Sequence, residues 1–308
     1  MRNRRSVLRR DGVVAGGLVS LAISLLASCA HAADVSYVIQ QAETGFFFGG
    51  GALYQHYAET RTNGTTLDAE TGFIPSFTVG ASGMTTNPQG GLYWRAAYTR
   101  ASGSTNYSGY TLGGTPVQTT TANTISEFRG RLGDVFAVDH VLGVPAAVIP
   151  YLGLGFHHWT RNIDNGSGYG GIEQYSDGHI GIGLLGDIAV NRHWVLGLSV
   201  LEGYTVGAQI QSTLPFIVDT STGQTSFYDT ATHALGDRPY WDAGLKAIYV
   251  IDPTWRVYLR VRRTTFHYGA SSATPIFSSA NGAFIGYSQE PNSSTTQTLT
   301  TLGVAARF

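Results

Sequence analysis

Cysteine, charge and long apolar runs are all scarce in this chain of 308 residues. Its only cysteine is Cys29, so the long remainder of the chain has no disulfide framework and no thiol chemistry. Charged residues make up only 13% of the chain, and they form no basic stripe of the kind that binds nucleic acid. After the N-terminal segment, no stretch reaches the roughly 18 consecutive apolar residues of a membrane helix. These absences exclude a disulfide-stapled fold, a nucleic-acid-binding protein and a helical membrane protein.

Glycine and aromatic residues are, by contrast, abundant. The chain holds 40 Gly, 17 Tyr and 14 Phe. Glycine permits tight turns, while Tyr and Phe favour strands and the boundary between lipid and water. Together with the low charge, this composition favours a β-protein whose outer surface meets lipid.

The first 32 residues have the parts of an export signal. Five arginines precede an uncharged segment, 13–26, which is too short to span a membrane as a helix, and small residues follow it. We predict a signal peptide over residues 1–32 and one mature domain over residues 33–308. Without those arginines and Asp11, the 19 basic and 20 acidic residues of the chain become 14 and 19, a net charge of −5.

Two other interpretations of this N-terminal segment stay open. Leu26-Ala27-Ser28-Cys29 resembles a lipoprotein box, in which Cys29 would become the lipidated first residue. The stretch 3–9 resembles a twin-arginine export motif. That route carries folded cargo, however, so we interpret its arginines as the basic part of an ordinary signal peptide.

Strand-like stretches of ten or more residues recur along the rest of the chain, with short and long links alternating between them. This rhythm is typical of a transmembrane β-barrel. We predict an all-β fold, a transmembrane antiparallel up-and-down barrel of about ten strands, with eight or twelve as alternatives. The predicted strands are Gly45–Glu59, Gly72–Thr85, Gly91–Ala101, Thr124–Ala137, Ala147–Arg161, Glu173–Val190, His193–Gly207, Tyr240–Ile251, Thr254–Tyr268 and Thr296–Phe308.

The links between these strands predict the orientation of the barrel. The short links, 86–90, 138–146, 191–192 and 252–253, are predicted to be periplasmic turns. The long links, 60–71, 102–123, 162–172, 208–239 and 269–295, are predicted to lie outside the cell. The link 208–239 either folds over the mouth of the barrel or extends two strands as a hairpin.

Alternation within the strands separates an apolar face from a charged one. In the predicted strand Thr254–Tyr268, Trp255 and Leu259 lie on one face, and Arg256 and Arg260 lie on the other. The strands Tyr240–Ile251 and Thr124–Ala137 repeat the pattern. A soluble β-sandwich would also alternate, with its arginines in solvent. The export signal and the last residues of the chain favour the barrel.

The chain closes on the alternating stretch Leu302–Phe308, with an aromatic final residue. In this respect it resembles the broad class of small Gram-negative outer-membrane β-barrel proteins, whose last residue is typically aromatic and is read by the insertion machinery. No narrower subfamily is indicated. The resemblance implies a location in the cell outer membrane, with outer-membrane lipid, lipopolysaccharide and the barrel-assembly machinery as partners.

Aromatic residues near the predicted strand ends suggest two membrane-interface belts. We predict Trp94, Trp194, Tyr249 and Trp255 at the periplasmic belt. We predict Tyr57, Tyr98, Trp159 and Tyr268 at the outer belt.

The opposite strand faces carry charge into the lumen. The predicted lumen residues are Arg95, Arg129, Arg131, Lys246, Arg256, Arg260, Arg262, Glu127, Asp177, His179 and Asp242. With Arg307 and Glu59 added, eight basic residues oppose four acidic ones. A ten-stranded barrel has a narrow bore. The charges therefore form either a structural ion-pair core or a narrow porin-like channel with a net basic lumen that favours small anionic solutes.

A rim hydrolase is another candidate function. Asp177 and His179 share a strand face, a spacing similar to one half of the catalytic apparatus of omptin proteases, which are ten-stranded barrels. The paired Asp-x-Asp of the other half is absent, and no Ser lies in the kind of motif that lipid-A hydrolases use. His157 and His158 point to opposite faces and cannot share a metal ion. We predict no enzymatic activity, no metal and no cofactor.

The predicted outer links offer a further function. The stretches 102–123 and 269–289 contain no charged residue and are rich in Ser, Thr, Gly and aromatic residues. Such segments bind glycans or host molecules by stacking and adaptable hydrogen bonds. A surface adhesin that binds ligands through these links is the alternative to the structural or channel function.

Overall fold

A computed structural model describes residues 37–61, 63–85, 90–110, 115–141, 143–163, 170–213, 217–218, 225–226, 230–278 and 281–308. The predicted signal peptide, Cys29 and most of the predicted turn 86–90 lie outside these residues.

The described chain begins with a short helix and continues almost entirely as strands. The elements are α1 (Tyr37–Glu43), β1 (Gly45–Thr60), β2 (Thr66–Met84), β3 (Gly91–Tyr110), β4 (Pro116–Val141), β5 (Val144–Ile163), β6 (Ile172–Ala189), β7 (Trp194–Thr213), β8 (Ile217–Val218), β9 (Thr225–Ser226), β10 (Ala231–Ala234), β11 (Pro239–Val250), β12 (Trp255–Tyr268), β13 (Thr274–Phe277), β14 (Phe284–Ser288) and β15 (Asn292–Ala306).

Ten long strands close into one antiparallel barrel. Each of β1 to β7, β11, β12 and β15 pairs with its neighbour in the chain, and β15 returns to pair with β1. That closing seam runs from Phe46 opposite Ala306 to Thr60 opposite Asn292. The predicted up-and-down barrel of ten strands is confirmed.

The strands extend further outward than the sequence predicts. The stretch 102–123 is not a loop, because β3 and β4 stay paired until Tyr110 faces Pro116. Outward positions there are Ser, Thr and Asn instead of Leu and Phe, so the apolar alternation that reveals a strand in lipid is lost where the strand enters water. The same reason hides the outer part of β2, where Asp68 and Glu70 precede the predicted start of the strand.

The link 208–239 also extends the sheet. β10 pairs Ala234 with Gln209 of β7, and β11 pairs Pro239 with Tyr204 of β7, so both strands keep one register on the same partner. Gly207 of β7 lies between the part that pairs with β10 and the part that pairs with β11, and its φ is 63°. At this position β7 changes which residues face inward. Of the two predicted alternatives, residues 231–234 adopt the hairpin extension.

Burial alternates along most of each barrel strand. In β1, for example, Phe46 and Phe48 are exposed, whereas Phe47 and Leu53 are buried. The exposed face is almost wholly apolar in the middle of the barrel and includes Leu152, Leu154, Ile180, Ile182, Leu196, Leu198, Leu245, Leu259 and Leu302. An apolar outward band of this kind matches the hydrocarbon layer of a membrane.

Aromatic side chains bound this band at both ends, but the outer belt differs from the prediction. At the periplasmic end, Trp194 and Trp255 are exposed on the outward face. At the outer end, Tyr57, Trp159 and Tyr268 are buried inside the barrel, so their predicted place in the belt is wrong. Their positions share the parity of inward residues. The exposed outer aromatics are Tyr54, Phe73, Phe128, Phe156, Tyr204 and Trp241.

Helix α1 lies at the periplasmic end of the lumen. Ile39 and Glu43 are fully or almost fully buried there. Gln40 Nε2 donates to the carbonyl of Met84 at 3.2 Å, and Gln41 Nε2 donates to the carbonyl of Asp252 at 2.7 Å. The helix thus contacts periplasmic ends of the wall. No helix among the described residues is both long and apolar enough to cross a membrane.

Candidate functional site

The predicted lumen residues all lie on inward strand faces, where they join several layers of side chains. Arg307 differs from the rest of the counted charges. It lies beyond the end of β15, and its Nη1 donates to the hydroxyl of Tyr37 at 2.7 Å at an exposed position. It therefore lies outside the layers of ion pairs inside the lumen.

Asp242 of β11 is the centre of the middle layer. Its carboxylate, which is 0% exposed, accepts from Arg129 Nη1 at 2.9 Å, from Arg131 Nη2 at 3.3 Å and from Thr264 Oγ1 at 3.1 Å. Arg262 Nε lies 3.8 Å away. One carboxylate of β11 thus neutralises parts of three guanidinium groups from two other strands, β4 and β12, and this arrangement ties opposite walls of the barrel together.

Glu127 completes the middle layer. It pairs with Arg262 Nη2, and Arg129 Nε lies 3.7 Å from its other oxygen. The layer therefore holds three bases and two acids, all closed off from solvent or nearly so.

A second ion-pair layer lies toward the periplasm. Lys246 Nζ contacts Glu43 of α1 at 2.5 Å and Asp187 of β6 at 2.8 Å. Neither acid was among the predicted site residues. Asp187 shares the parity of Asp177 and His179, so alternation along β6 could have found it. Glu43 lies before the first strand, and no sequence pattern signals its inward position.

Asp177 and His179 do not form the candidate catalytic dyad. Asp177 Oδ1 lies 3.1 Å from His157 Nδ1 on the neighbouring strand and accepts a hydrogen bond from the Tyr268 hydroxyl at 2.5 Å. The ring of His179 instead stacks on Tyr240, with 4.4 Å between centroids. Asp177 and His157 are only 3% and 4% exposed. A substrate has no direct access to them.

Aromatic rings fill the lumen at the depth of Asp177 and just beyond it, toward the outer end of the barrel. Trp159 and Tyr175 stack with centroids 5.1 Å apart, and Tyr175 stacks on Tyr268 at 5.3 Å. Tyr57 meets the edge of Trp159 at 5.3 Å, and its hydroxyl lies 2.9 Å from that of Tyr175. All four side chains are 2% exposed or less, so this layer occupies the bore.

Arg161 anchors an acidic layer above the aromatic one. It is fully buried, and its Nη2 contacts Glu70 at 2.7 Å while its Nη1 contacts Glu173 at 2.5 Å and lies 3.6 Å from Glu59. The count of eight basic and four acidic lumen residues is therefore wrong. It omits Arg161 and the inward acids Glu43, Asp68, Glu70, Glu173 and Asp187.

This acidic layer lies outside the membrane-spanning part of the barrel. Glu59 comes five residues after the exposed belt residue Tyr54, and Asp68 comes five residues before Phe73. Burial raises the pKa of Asp68 to about 6, with Glu173 and Glu70 adding to the rise and Arg161 opposing it. Burial likewise raises the pKa of Glu59 well above its ordinary value. Proton uptake near neutral pH thus relieves repulsion among these carboxylates.

Beyond the exposed Arg100, the outward faces of β3 and β4 form an uncharged surface above the outer belt. In β3 and β4, outward residues beyond Tyr98 and Phe128 include Ser102, Ser104, Asn106, Gln118, Thr120 and Thr124. Because the two strands are hydrogen-bonded along this whole length, their side chains have fixed positions. The surface therefore has the geometry of a rigid sheet instead of a mobile loop.

No family model and no curated protein matches the chain. Among solved structures, the outer membrane protease OmpT from Escherichia coli has 12% identity and a TM-score of 0.50, over 86% of this chain and 97% of that one. Neisserial surface protein A has 13% identity and a TM-score of 0.30, over 86% and 98%. The translocator domain of the autotransporter NalP from Neisseria meningitidis has 11% identity and a TM-score of 0.37, over 95% and 97%. The chain has the fold of Gram-negative outer-membrane β-barrel proteins, as predicted, and its apolar outward band agrees with the predicted location in the outer membrane.

Proposed function

We propose that this outer-membrane barrel is a structural protein with a closed lumen, and that it conducts no solute at rest. The observation that carries the proposal is the continuity of filled layers across the bore. From the periplasm outward these are α1, the Lys246 ion pairs, the Asp242 cluster, the stacked aromatic rings and the Arg161 cluster. A porin needs a continuous water column, which side chains leave open only in wider barrels.

The ion pairs of the middle layer favour a structural role over a selective one. Selectivity in a pore requires charges that a passing ion can contact. Here Asp242 uses its carboxylate on three arginines, and Glu127 pairs with Arg262. Charges that neutralise one another in a closed interior hold opposite walls in place and leave little field for a solute.

Conductance of the refolded protein tests this proposal. The protein is inserted into planar bilayers, and protease protection in matched vesicles counts the inserted molecules. We expect no stable conductance steps from inserted wild-type protein. Steady conductance with anion selectivity, reduced when Arg256, Arg260 and Arg262 are changed to Gln, would establish the anion channel in its place.

We propose surface-ligand binding as a second function, through the outer part of the β3–β4 hairpin. Its support is the rigid, uncharged sheet of Ser, Thr and Asn side chains that this hairpin presents above the membrane. Hydroxyl and amide groups in fixed positions suit the hydroxyl-rich surface of a glycan.

Substitution of outward polar residues tests the second function without disturbing the barrel. Ser104, Asn106, Gln118 and Thr120 are exposed outward positions of β3 and β4, so changing all four to alanine removes their hydroxyl and amide groups and leaves the inward side chains in place. We expect cells that display this variant to lose binding to a glycan array while keeping the wild-type amount of barrel in the membrane. Equal glycan binding by the variant and wild-type proteins would refute the role of the hairpin.

A further inference from the structure

A small cavity of about 60 Å³ lies inside the lumen, between the Lys246 ion pairs and the Asp242 cluster. We name it the basic chamber, after the six charged side chains that line it. These are Arg95, Arg129, Arg131, Lys246, Arg260 and Arg262. No carboxylate lies among the described residues of its lining.

Four of the six bases have acidic partners outside the lining of the chamber. Lys246 has Glu43 and Asp187, while three arginines share Asp242 and Glu127. Arg95 and Arg260 have no ion pair with any described residue. Six positive charges against four negative ones leave the chamber with two that no side chain in the described barrel neutralises.

The surroundings of Arg95 and Arg260 attract cations but supply no charge. The Arg95 guanidinium lies 3.9 Å from the centroid of the Phe47 ring, and that of Arg260 lies 5.8 Å from the Tyr258 ring. An aromatic face stabilises a cation without cancelling its charge. Unneutralised charge in an enclosed interior is strongly unfavourable.

Unused hydrogen-bond donors also line the chamber. The Tyr258 hydroxyl is buried and has no hydrogen-bond partner in the part of the chain that the structure describes, and the same holds for the Nε of Arg262. Tyr258 is 7% exposed and contributes to the lining. Buried donors without acceptors are rare in native proteins and often mark an unseen water or ion.

We propose that the basic chamber binds one small divalent oxyanion of the sulfate or hydrogen phosphate class. Two negative charges match the two unpaired arginines, and guanidinium groups bind oxyanions through paired N–H donors. The cavity is several times larger than the roughly 10–15 Å³ that one water occupies. It is too small for a phosphorylated lipid headgroup with its attached sugar, so the ligand is the free inorganic anion.

Thermal unfolding in defined salts tests this site. The protein is refolded into detergent micelles in buffer free of sulfate and phosphate. Sodium sulfate, sodium phosphate or sodium chloride is then added in steps, and sodium gluconate keeps the ionic strength constant. We expect the unfolding midpoint to rise with sulfate and with phosphate by ligand linkage. Chloride should raise it less, because one chloride neutralises only one of the two charges.

Two variants separate the chamber from general salt effects. Arg95→Gln/Arg260→Gln removes both unpaired charges, so we expect its midpoint without sulfate to be no lower than that of the wild type, with no dependence on sulfate. Arg100→Gln is the matched control, because Arg100 is an exposed arginine on the same strand as Arg95. It should keep the full wild-type response.

Three outcomes would overturn the proposal. They are a sulfate response that survives in the double variant, a response to chloride as large as that to sulfate, and no response in the wild type. If the double variant does not fold, the wild-type protein is equilibrated with sulfate, desalted and denatured, and the released anion is measured by ion chromatography. One sulfate per chain supports the site, and none refutes it.

Discussion

Replacing Asp242 with asparagine should destabilise the barrel more than almost any other conservative change in the lumen. The substitution keeps the size of the side chain but removes the negative charge that Arg129, Arg131 and Arg262 share. Glu127 would then face three guanidinium groups alone. The site is 0% exposed, so water cannot replace the lost charge.

The expected loss follows from the cost of a buried charge without a partner. Removing one member of a buried ion pair costs about 3–5 kcal/mol, because the remaining charge is left unpaired. The asparagine carbonyl can still accept one hydrogen bond from Arg129, which favours the lower end of that range. A loss of about 3 kcal/mol lowers the ratio of folded to unfolded protein about 100-fold.

Urea unfolding in phospholipid vesicles measures this loss, with folded protein identified by its altered gel mobility. Asp134→Asn is the control, since Asp134 carries the same group on an exposed outward position of β4 and should change stability by less than about 0.5 kcal/mol. Adding Arg129→Gln to Asp242→Asn should recover part of the loss, because it removes one unpaired charge. A loss below about 1 kcal/mol for Asp242→Asn would refute the assignment of Asp242 as the centre of the network.

Three further predictions concern the ends of the barrel and the buried histidine. Phe308→Asp should lower the amount of assembled barrel in the outer membrane, because the Phe308 ring meets Phe46 at 5.2 Å and stacks on Trp94 at 6.4 Å. Phe277→Asp, on the outer hairpin, is its control. The urea midpoint should be higher at pH 5.5 than at pH 8, since the folded-state pKa of Asp68 is raised to about 6 and stability from such a group is lost as pH rises through that value. Asp68→Asn should flatten this dependence, and a midpoint that rises with pH would contradict it. Asp177→Asn should cost about 1–3 kcal/mol through its lost bonds to His157 and Tyr268. Cleavage of peptide or lipid A by the wild type, lost in this variant, would instead reveal an enzyme.

Alternation predicted the wall of the barrel well because lipid imposes a strict requirement on every second residue. In β12, Trp255 and Leu259 face outward, and Arg256 and Arg260 face inward, as the sequence indicates. The same rule could have corrected the outer belt. Trp159 lies two residues after His157 on the same strand and therefore shares its face, and both side chains are buried inside the barrel. For Tyr57, Trp159 and Tyr268, the alternation of inward and outward residues is therefore a better guide than the preference of aromatic residues for membrane interfaces.

Residues beyond the membrane were harder to predict, since water accepts either face of a strand. Asp68 and Glu70 fell in a predicted loop, yet they lie on inward positions of β2 near Arg161. Their pattern resembles that of a solvated turn, and only the pairing of β2 with β1 reveals their direction. The partners of each charge were likewise out of reach, because Asp242 and Arg129 are 113 residues apart and meet across the bore.

Glycine is abundant for a second reason besides its place in turns. Several glycines lie within strands, beside large inward side chains of a neighbouring strand: Gly303 is the register partner of Tyr258, Gly49 that of Gly303, and Gly183 that of Tyr151. A Cβ on Gly49 or on Gly303 would lie 2.6 Å from the hydroxyl of Tyr258, and one on Gly183 would lie at the same distance from that of Tyr151. The strand number fixes the bore, so these tyrosine rings fit because they lie over the bare backbone of adjacent strands. Tyrosine and glycine are both frequent in this chain because each large ring that closes the lumen requires small residues beside it.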